Sequence, residues 1–327
     1  MQKNKLYHPP LLTSLSPSKR LWLLAIVALL LITLFMTVNL GSNLHYILVR
    51  RGYILLTMCI VGFAVAISTV LFQTVTQNRI LTPSIMGFES LFILIQTAIV
   101  FFYQSNASFW YFNIGKFLLE TILLISFSIL LFRWLFARVN FNINLVLIVG
   151  IILGILFRSG ASLLQRLLEP NEFSVLQSRI FATFTRATPE LIWFSLVIIV
   201  VLSFILWRWR YQFDVIAMGR DHAINLGINY QRSVTLVLFF VSCLVAISTA
   251  LVGPLTFLGL IVTNLTYQLI GSSYHRFSLP GACLLAVIAL VGGQLILEYG
   301  LNMAGSLSIV LEFIGGILFI YLVLKRF

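Results

Sequence analysis

The chain has 327 residues, of which 60% are hydrophobic and only 9% charged, and its mean hydropathy is +1.05. Soluble domains carry roughly 25% charged residues, so a soluble fold of this composition would expose a large apolar surface and is excluded. The net charge of +12 does not indicate a nucleic-acid-binding protein, because the cations stand at the ends of apolar runs, where membrane proteins place them.

The apolar runs predict an all-α integral membrane protein with about ten transmembrane helices. A helix needs about 20 apolar residues to cross a bilayer, and the first run, at 21–40, is long for a signal peptide, so we expect a retained first helix. Short loops leave room for a single transmembrane domain over 1–327. The predicted helices lie near 21–40, 53–75, 84–103, 114–136, 143–165, 190–208, 231–251, 256–270, 279–299 and 305–325.

The distribution of charge predicts the orientation of these helices. Lys and Arg residues are most frequent before the first helix, in alternate loops and at the end of the chain. Since cytoplasmic loops carry an excess of these residues, both termini are expected in the cytoplasm. Several arginines remain on the outer side.

One short sequence occurs twice. Val-Ala-Ile-Ser-Thr at 65–69 in the second predicted helix recurs at 245–249 in the seventh. Because apolar helices use few residue types, such matches also arise by chance. If the repeat is real, it divides the chain into two units of five helices, and the odd number inverts the second unit relative to the first, as in many transporters.

The segment 214–227 is the longest polar stretch on the predicted cytoplasmic side. It is amphipathic, begins with an acid and has a glycine at each plausible turn, which predicts short helices lying at the membrane face. Such a segment indicates a docking element rather than a catalytic one.

Three stretches resemble the FecCD-type permeases, which import iron-siderophores, haem and cobalamin with a partner ATPase. The segment 214–227 is similar to the family's L-G-(D/E)-(D/E)-A-x-x-L-G coupling motif. Residues 253–262 read G-P-L-T-F-L-G-L-I-V where the family has G-P-I-x-F-V-G-L-V-V, and residues 73–87 match the spacing of Q-x4-N-P-L-A-x-P-x-x-L-G. The matching residues are Gly219, Asp221, Ala223, Leu226 and Gly227 in the coupling motif, and Gln73, Asn78, Pro83 and Gly87 in the third motif.

The chain also departs from the family pattern. Arg220 stands in place of an acid, Arg79 in place of a proline, and Thr263-Asn264 in place of Pro-His, while residues 304–308 replace E-L-P-x-G. These departures place the chain nearest to a divergent branch that serves siderophores of the anguibactin or petrobactin kind. In that branch two different permease chains usually pair.

The resemblance implies the fold of a type II ABC importer permease in the bacterial cytoplasmic membrane. It implies as partners two ATPase subunits, a second permease chain and a periplasmic or lipid-anchored substrate-binding protein. The two permease chains would form a heterodimer, with a homodimer as the alternative. The cargo would be a ferric siderophore, with cobalamin or haem as the alternatives. This chain would bind no cofactor itself, because ATP and Mg²⁺ bind the partner ATPase.

Arginines before the second predicted helix are candidates for docking the binding protein. In the family, acids of the binding protein meet arginines on the outer face of the permease, and Arg51 falls on one matching position with Arg50 beside it. Opposite charges steer such encounters. The alternative is that both arginines extend along the helix end to reach water.

Polar side chains within the predicted helices are candidates for the pathway and its gate. Arg158 and Glu312 are predicted at matching depths, where they would form an ion pair, or where Arg158 would attract an anionic chelate or reach outward to water. Gln73 and Asn78 would line a cytoplasmic gate or simply cap a solvated helix end. Glu89, just inside the third helix, is the other polar side chain at depth.

No enzyme motif is present, and four scattered histidines form no metal-ligand set. ATP hydrolysis is therefore expected on a separate chain. A proton-coupled secondary transporter is the competing class, and it would need an embedded acid relay. Only Glu89, Glu120 and Glu312 could supply one, and Glu120 is expected to pair with Lys116 one turn away.

Overall fold

The computed structural model describes residues 15–39, 43–103, 113–138, 143–300 and 305–326, and every regular element within these ranges is helical. The predicted all-α fold class is confirmed. The helices of the first half are α1 (Pro17–Thr37), α2 (Leu44–Thr76), α3 (Phe88–Tyr103), α4 (Asn113–Arg138) and α5 (Ile143–Gln165), with a 3-10 turn at Pro83–Met86 before α3.

The described part of the second half contains five long helices and three short ones. The helices are α6 (Pro170–Ile180), α7 (Pro189–Arg208), α8 (Arg210–Ile216), α9 (Arg220–Asn225), α10 (Tyr230–Val252), α11 (Leu258–Ile270), α12 (His275–Leu295), which ends in a π-helical turn at Ile296–Gly300, and α13 (Leu307–Arg326). Ten of the described helices correspond in order to the ten predicted segments. Six of them, α1, α2, α5, α7, α10 and α12, are long and apolar enough to cross a membrane.

Three helices begin four or more residues earlier than the charge pattern predicts, and α1, which begins at Pro17 rather than near 21, is one of them. Helix α2 begins at Leu44 rather than near 53, and it continues through Arg50-Arg51 because the Arg51 side chain has partners inside the protein. Helix α12 begins at His275 rather than near 279, because the Asp214 carboxylate accepts the His275 backbone N–H. Helix α6 lies between the fifth and sixth predicted helices, in a segment for which we predicted no helix.

The core is formed where α2 packs against α10 and α12, with α11 and α1 beside them. Met58 and Val70 of α2 and Leu244 of α10 are fully buried. By contrast, α1, α5 and α7 are mostly exposed and carry large apolar side chains such as Trp22 and Phe204 on their surfaces. Surfaces of this kind are suited to lipid or to another membrane chain.

Candidate transport pathway and coupling surface

The two Val-Ala-Ile-Ser-Thr segments face each other across one small cavity of about 20 Å³. Ser68 and Thr69 line it from α2, and Ser248 and Thr249 line it from α10. The Ser68 hydroxyl donates to the Val65 carbonyl at 3.1 Å, and the Ser248 hydroxyl makes the equivalent bond at 3.0 Å.

The helices that carry these segments run antiparallel. The C-terminal end of α2 lies beside the segment that precedes α10, since Gln77 lies beside Gly219 and α2 contacts α8. Equivalent residues of two antiparallel helices therefore meet around a common centre. This arrangement supports an inverted repeat of five plus five helices.

The connection between α2 and α3 approaches α5 very closely. Gly87 has φ +88°, and a side chain at this position would lie 3.0 Å from the Gly154 backbone of α5. Only glycine combines that backbone conformation with so close an approach. The connection is thereby fixed beside the small cavity, which Pro83 and Ser84 also line.

Gln73 lies near the C-terminal end of α2 and is 3% exposed. Its Nε2 donates to the Arg79 carbonyl at 2.7 Å and to the Thr263 hydroxyl of α11 at 3.0 Å, while Asn264 Nδ2 donates to the same Arg79 carbonyl at 3.3 Å. Gln73 thus holds the loop after α2 against α11. Asn78 is exposed and accepts the Ile80 N–H at 3.0 Å, so it shapes the turn.

Glu89, Arg158 and Glu312 share one electrostatic neighbourhood. Glu89 accepts a hydrogen bond of 2.7 Å from Thr256, in the loop before α11, and its carboxylate interacts with the charges of Arg158 and Glu312. Arg158 and Glu312 are both exposed in the single chain, and no ion pair joins these two described residues. Arg158 and Glu312 therefore interact over a longer distance than the predicted ion pair would.

The two candidate docking arginines lie in different environments. Arg51 is buried, and its guanidinium donates to the carbonyls of Phe35 and Val38 at 2.9 and 2.7 Å and pairs with Glu298 at 3.3 Å. Arg50 is exposed at the edge of a cavity of about 270 Å³. Of the two, Arg50 is accessible to a partner protein, whereas the Arg51 side chain joins α2 to α1 and α12.

The segment 214–227 contains the last residues of the short helix α8, which begins earlier at Arg210, and the whole of α9. Gly219 lies between them with φ +106°, a conformation that L side chains rarely adopt. Ala223 is fully buried and anchors α9, whereas Leu226 is 61% exposed. Arg220, Asp221 and Gly227 are exposed as well, and further large apolar side chains are exposed beside them at Tyr211, Met218 and Ile224. We call this exposed face of α8 and α9 the coupling surface.

A hydrogen-bond chain beneath the coupling surface, buried except for the partly exposed Asp214, was not predicted. Asp214 Oδ1 accepts from the His275 backbone N–H at 2.8 Å and from His275 Nδ1 at 2.6 Å, and His275 Nε2 contacts the Thr74 hydroxyl at 2.7 Å. Burial raises the pKa of Asp214, but the hydrogen bonds from the imidazole and the backbone of His275 more than offset this and leave its pKa below the usual value. Nothing in the sequence places these residues together, because they are far apart along the chain.

The predicted pairing of Glu120 is confirmed. Lys116 Nζ lies 3.3 Å from Glu120 Oε1 on the same helix, and Gln96 of α3 donates to that oxygen at 2.7 Å. This buried glutamate therefore has its partners within α3 and α4. Within the described ranges, no group of three His, Cys, Asp or Glu residues could hold a metal ion.

The helical architecture, the antiparallel repeat and the exposed surface at one end are those of a multi-pass membrane permease. The chain belongs to the FecCD transport family, which matches residues 21–325. It is 42% identical over 305 residues to the petrobactin import system permease protein YclO of Bacillus subtilis, covering 93% of this chain and 96% of that protein.

Two further comparisons agree with this assignment. The chain is 35% identical over 277 residues to the petrobactin import system permease protein FatC of Bacillus anthracis, covering 85% of this chain and 78% of FatC. Its fold is similar to a solved structure described as an inward-facing conformation of a metal-chelate type ABC transporter. The TM-score is 0.82 at 24% identity, and the alignment covers 95% of this chain and all of the other.

Proposed function

We propose that the chain is the permease subunit of an ATP-binding-cassette importer that carries a ferric siderophore across the bacterial cytoplasmic membrane. The petrobactin permeases to which it is similar favour a siderophore of that kind. The observation that carries the proposal is the coupling surface. Leu226 and Met218 are large apolar side chains exposed at a loop that matches the family's coupling motif, and exposed apolar patches mark interaction sites.

The partners follow from this role. Two ATPase subunits supply the energy, and one of them binds the coupling surface of this chain. A second, different permease chain completes the pathway, and a periplasmic or lipid-anchored binding protein delivers the chelate to the outer face through Arg50. With the coupling surface in the cytoplasm, both termini are cytoplasmic as well, and the chain itself binds no ATP, metal or other cofactor.

The proposed mechanism is alternating access. Closure of the two ATPase subunits moves α8 and α9, and this motion shifts the two inverted repeats about the centre where α2 meets α10. Gln73 and Asn78, at the end of α2, form part of the cytoplasmic gate, because the loop after α2 is held against α11 by Gln73. Glu89, Arg158 and Glu312 form a polar neighbourhood along the pathway.

Co-purification tests the coupling surface. Leu226→Asp places a charge at an exposed apolar position, and we expect the ATPase to be lost from the purified complex. Gln231→Glu is the control, since it adds a charge at an exposed position of α10 outside the coupling surface. Retention of the ATPase on the Leu226→Asp permease would overturn the role of this surface. Gly219→Arg, which strains the turn between α8 and α9, is expected to act in the same direction.

Uptake measurements test the energy source and the cargo. In proteoliposomes that contain the full complex, we expect uptake of a ferric siderophore to require ATP. Uptake by the permease alone under a proton gradient would identify a secondary transporter, with Glu89 and Glu312 as the acids to test. Loss of cobalamin or haem uptake, with siderophore uptake unchanged, in a strain that lacks the gene would assign the alternative cargo.

A further inference from the structure

We propose that His275 is a positioning residue that transmits motion of the coupling surface to the cytoplasmic gate. It would do so through the buried chain Asp214–His275–Thr74. The inference rests on the proposed function, because it assigns a route from the ATPase-binding helices to α2. The three residues lie on three different elements, α8, α12 and α2.

The contacts at both ends of the imidazole are short. His275 Nδ1 lies 2.6 Å from Asp214 Oδ1, and since a carboxylate only accepts, Nδ1–H donates. At the other end Nε2 lies 2.7 Å from Thr74 Oγ1, whose single hydrogen is shared between Nε2 and the Val70 carbonyl 2.8 Å away. The imidazole is therefore a bridge of fixed length between α8 and α2.

The surroundings make this bridge stiff. His275 is 2% exposed, Thr74 is 9% exposed, and the ring of Phe213 packs edge-on against the imidazole with 5.7 Å between centroids. Around the imidazole and Thr74, a broken hydrogen bond leaves a buried polar group without a partner, which costs more than the bond contributes in water. The Asp214 side chain is 20% exposed, so the bridge is driest at its α2 end. When α8 moves, α12 and α2 are therefore expected to move with it.

The bridge ends beside the gate. Thr74 is the neighbour of Gln73, whose side chain holds the loop after α2 against α11. At the other end, Asp214 lies on α8, which Met218 and Gly219 connect directly to α9. The bridge thus joins the coupling surface to the gate through contiguous contacts, and double-mutant measurements can establish whether it couples them.

A purely local role for Asp214 makes a different prediction. If Asp214 only capped the first turn of α12, the His275 backbone N–H would be sufficient, and this N–H remains in His275→Ala. The imidazole would then be dispensable. The proposal instead requires the ring, so His275→Ala separates a capping role from a bridging role.

The test uses the complete importer in proteoliposomes and measures chelate uptake and ATP hydrolysis together. We expect His275→Ala and Thr74→Val each to lower uptake per ATP hydrolysed by about tenfold, which corresponds to about 1.4 kcal/mol. The ATPase should still co-purify, since the coupling surface is unchanged. The double variant should lose little more than either single variant, because both break the same bridge.

Thr57→Val is the matched control. Thr57 is fully buried on the same helix, and its hydroxyl donates to the Tyr53 carbonyl one turn earlier. Thr74 Oγ1 lies equally close to the Val70 carbonyl, so the two threonines differ in the contact with the imidazole. Uptake per ATP should be unchanged in this control. His275→Asn can replace the Nδ1 contact and His275→Gln the Nε2 contact, and neither should restore coupling alone.

Two results would overturn the inference. One is an unchanged ratio of uptake to ATP hydrolysis in His275→Ala. The other is a loss that only follows a fall in the amount of folded complex, which size-exclusion chromatography and thermal unfolding of the same samples would detect. Failure of the proposed function is distinguishable, because wild-type complex would then show no ATP-dependent uptake at all.

Discussion

The packing of α11 on α2 depends on the absence of a side chain at Gly259. A Cβ at this position would lie 2.2 Å from Thr69 Oγ1 and 3.2 Å from Thr69 Cβ and Cγ2. Rotation of the threonine moves Oγ1 but leaves Cβ in place, and it breaks the 2.7 Å bond from Oγ1 to the Val65 carbonyl. Gly259→Ala therefore forces the two helices apart beside the small cavity between the repeats.

The expected size of this effect follows from two opposing contributions. Overpacking of a tight core costs about 1–3 kcal/mol, and an overlap this close belongs at the upper end. Alanine gains at most about 1 kcal/mol over glycine in a helix. We expect a net loss of stability of about 2 kcal/mol, estimated from the overpacking range and the helix-propensity gain.

Thermal unfolding of the purified protein in detergent checks this expectation. Gly52→Ala on α2 is the matched control, because a Cβ at this position would have no other atom within 4 Å. This substitution should be neutral or stabilising. Thr69→Ala removes Oγ1 and Cγ2 and should rescue much of the loss in a Gly259→Ala background. If Gly259→Ala unfolds at the same temperature as Gly52→Ala, or if Thr69→Ala rescues nothing, the packing argument is wrong.

Further predictions concern the N-terminal part of α2 and the connection from α2 to α3. Arg51→Met removes a buried guanidinium and leaves Glu298 without its cation, so we expect a loss of about 1–3 kcal/mol in thermal unfolding, discounted because Glu298 is partly exposed. Arg50→Ala should leave the unfolding temperature unchanged but weaken binding of the substrate-binding protein in a pull-down. If instead Arg50→Ala lowers the unfolding temperature and Arg51→Met weakens binding, Arg51 is the docking residue and Arg50 the structural one. Gly87→Ala would combine the cost of a strained backbone, roughly 1–2 kcal/mol, with a clash against the Gly154 backbone. We expect it to lower the yield of folded protein more than Gly154→Ala does. Equal yields would contradict this expectation.

The amount of structure that the sequence predicts depends on how local each signal is. Apolar length predicts the helices well, because the bilayer thickness fixes how long each must be. The predicted start of α2 is too late, because in the sequence Arg51 indicates the end of a membrane helix. In the structure its partners lie on α1 and just after α12, so the helix continues past it. The His275 bridge could not be predicted for the same reason, since its three members meet only after α2, α8 and α12 have packed.

The departures from the family pattern are easier to understand in three dimensions than along the chain. Arg79, Thr263 and Asn264 appear as separate substitutions in the sequence, yet all three contact one another or the same glutamine. Gln73 donates to the Arg79 carbonyl and the Thr263 hydroxyl, and Asn264 donates to that same carbonyl.

The Arg79 guanidinium also lies over the ring of Tyr267, 4.5 Å from its centroid. Such a contact stabilises a cation on an aromatic face, and a proline at position 79 would not provide it. The departures therefore form one alternative way of holding the loop after α2 against α11. Of these contacts, the ones that a proline at 79 and Pro-His at 263–264 would not supply are the Arg79 guanidinium on Tyr267, the Thr263 hydroxyl with Gln73 and the Asn264 amide with the loop.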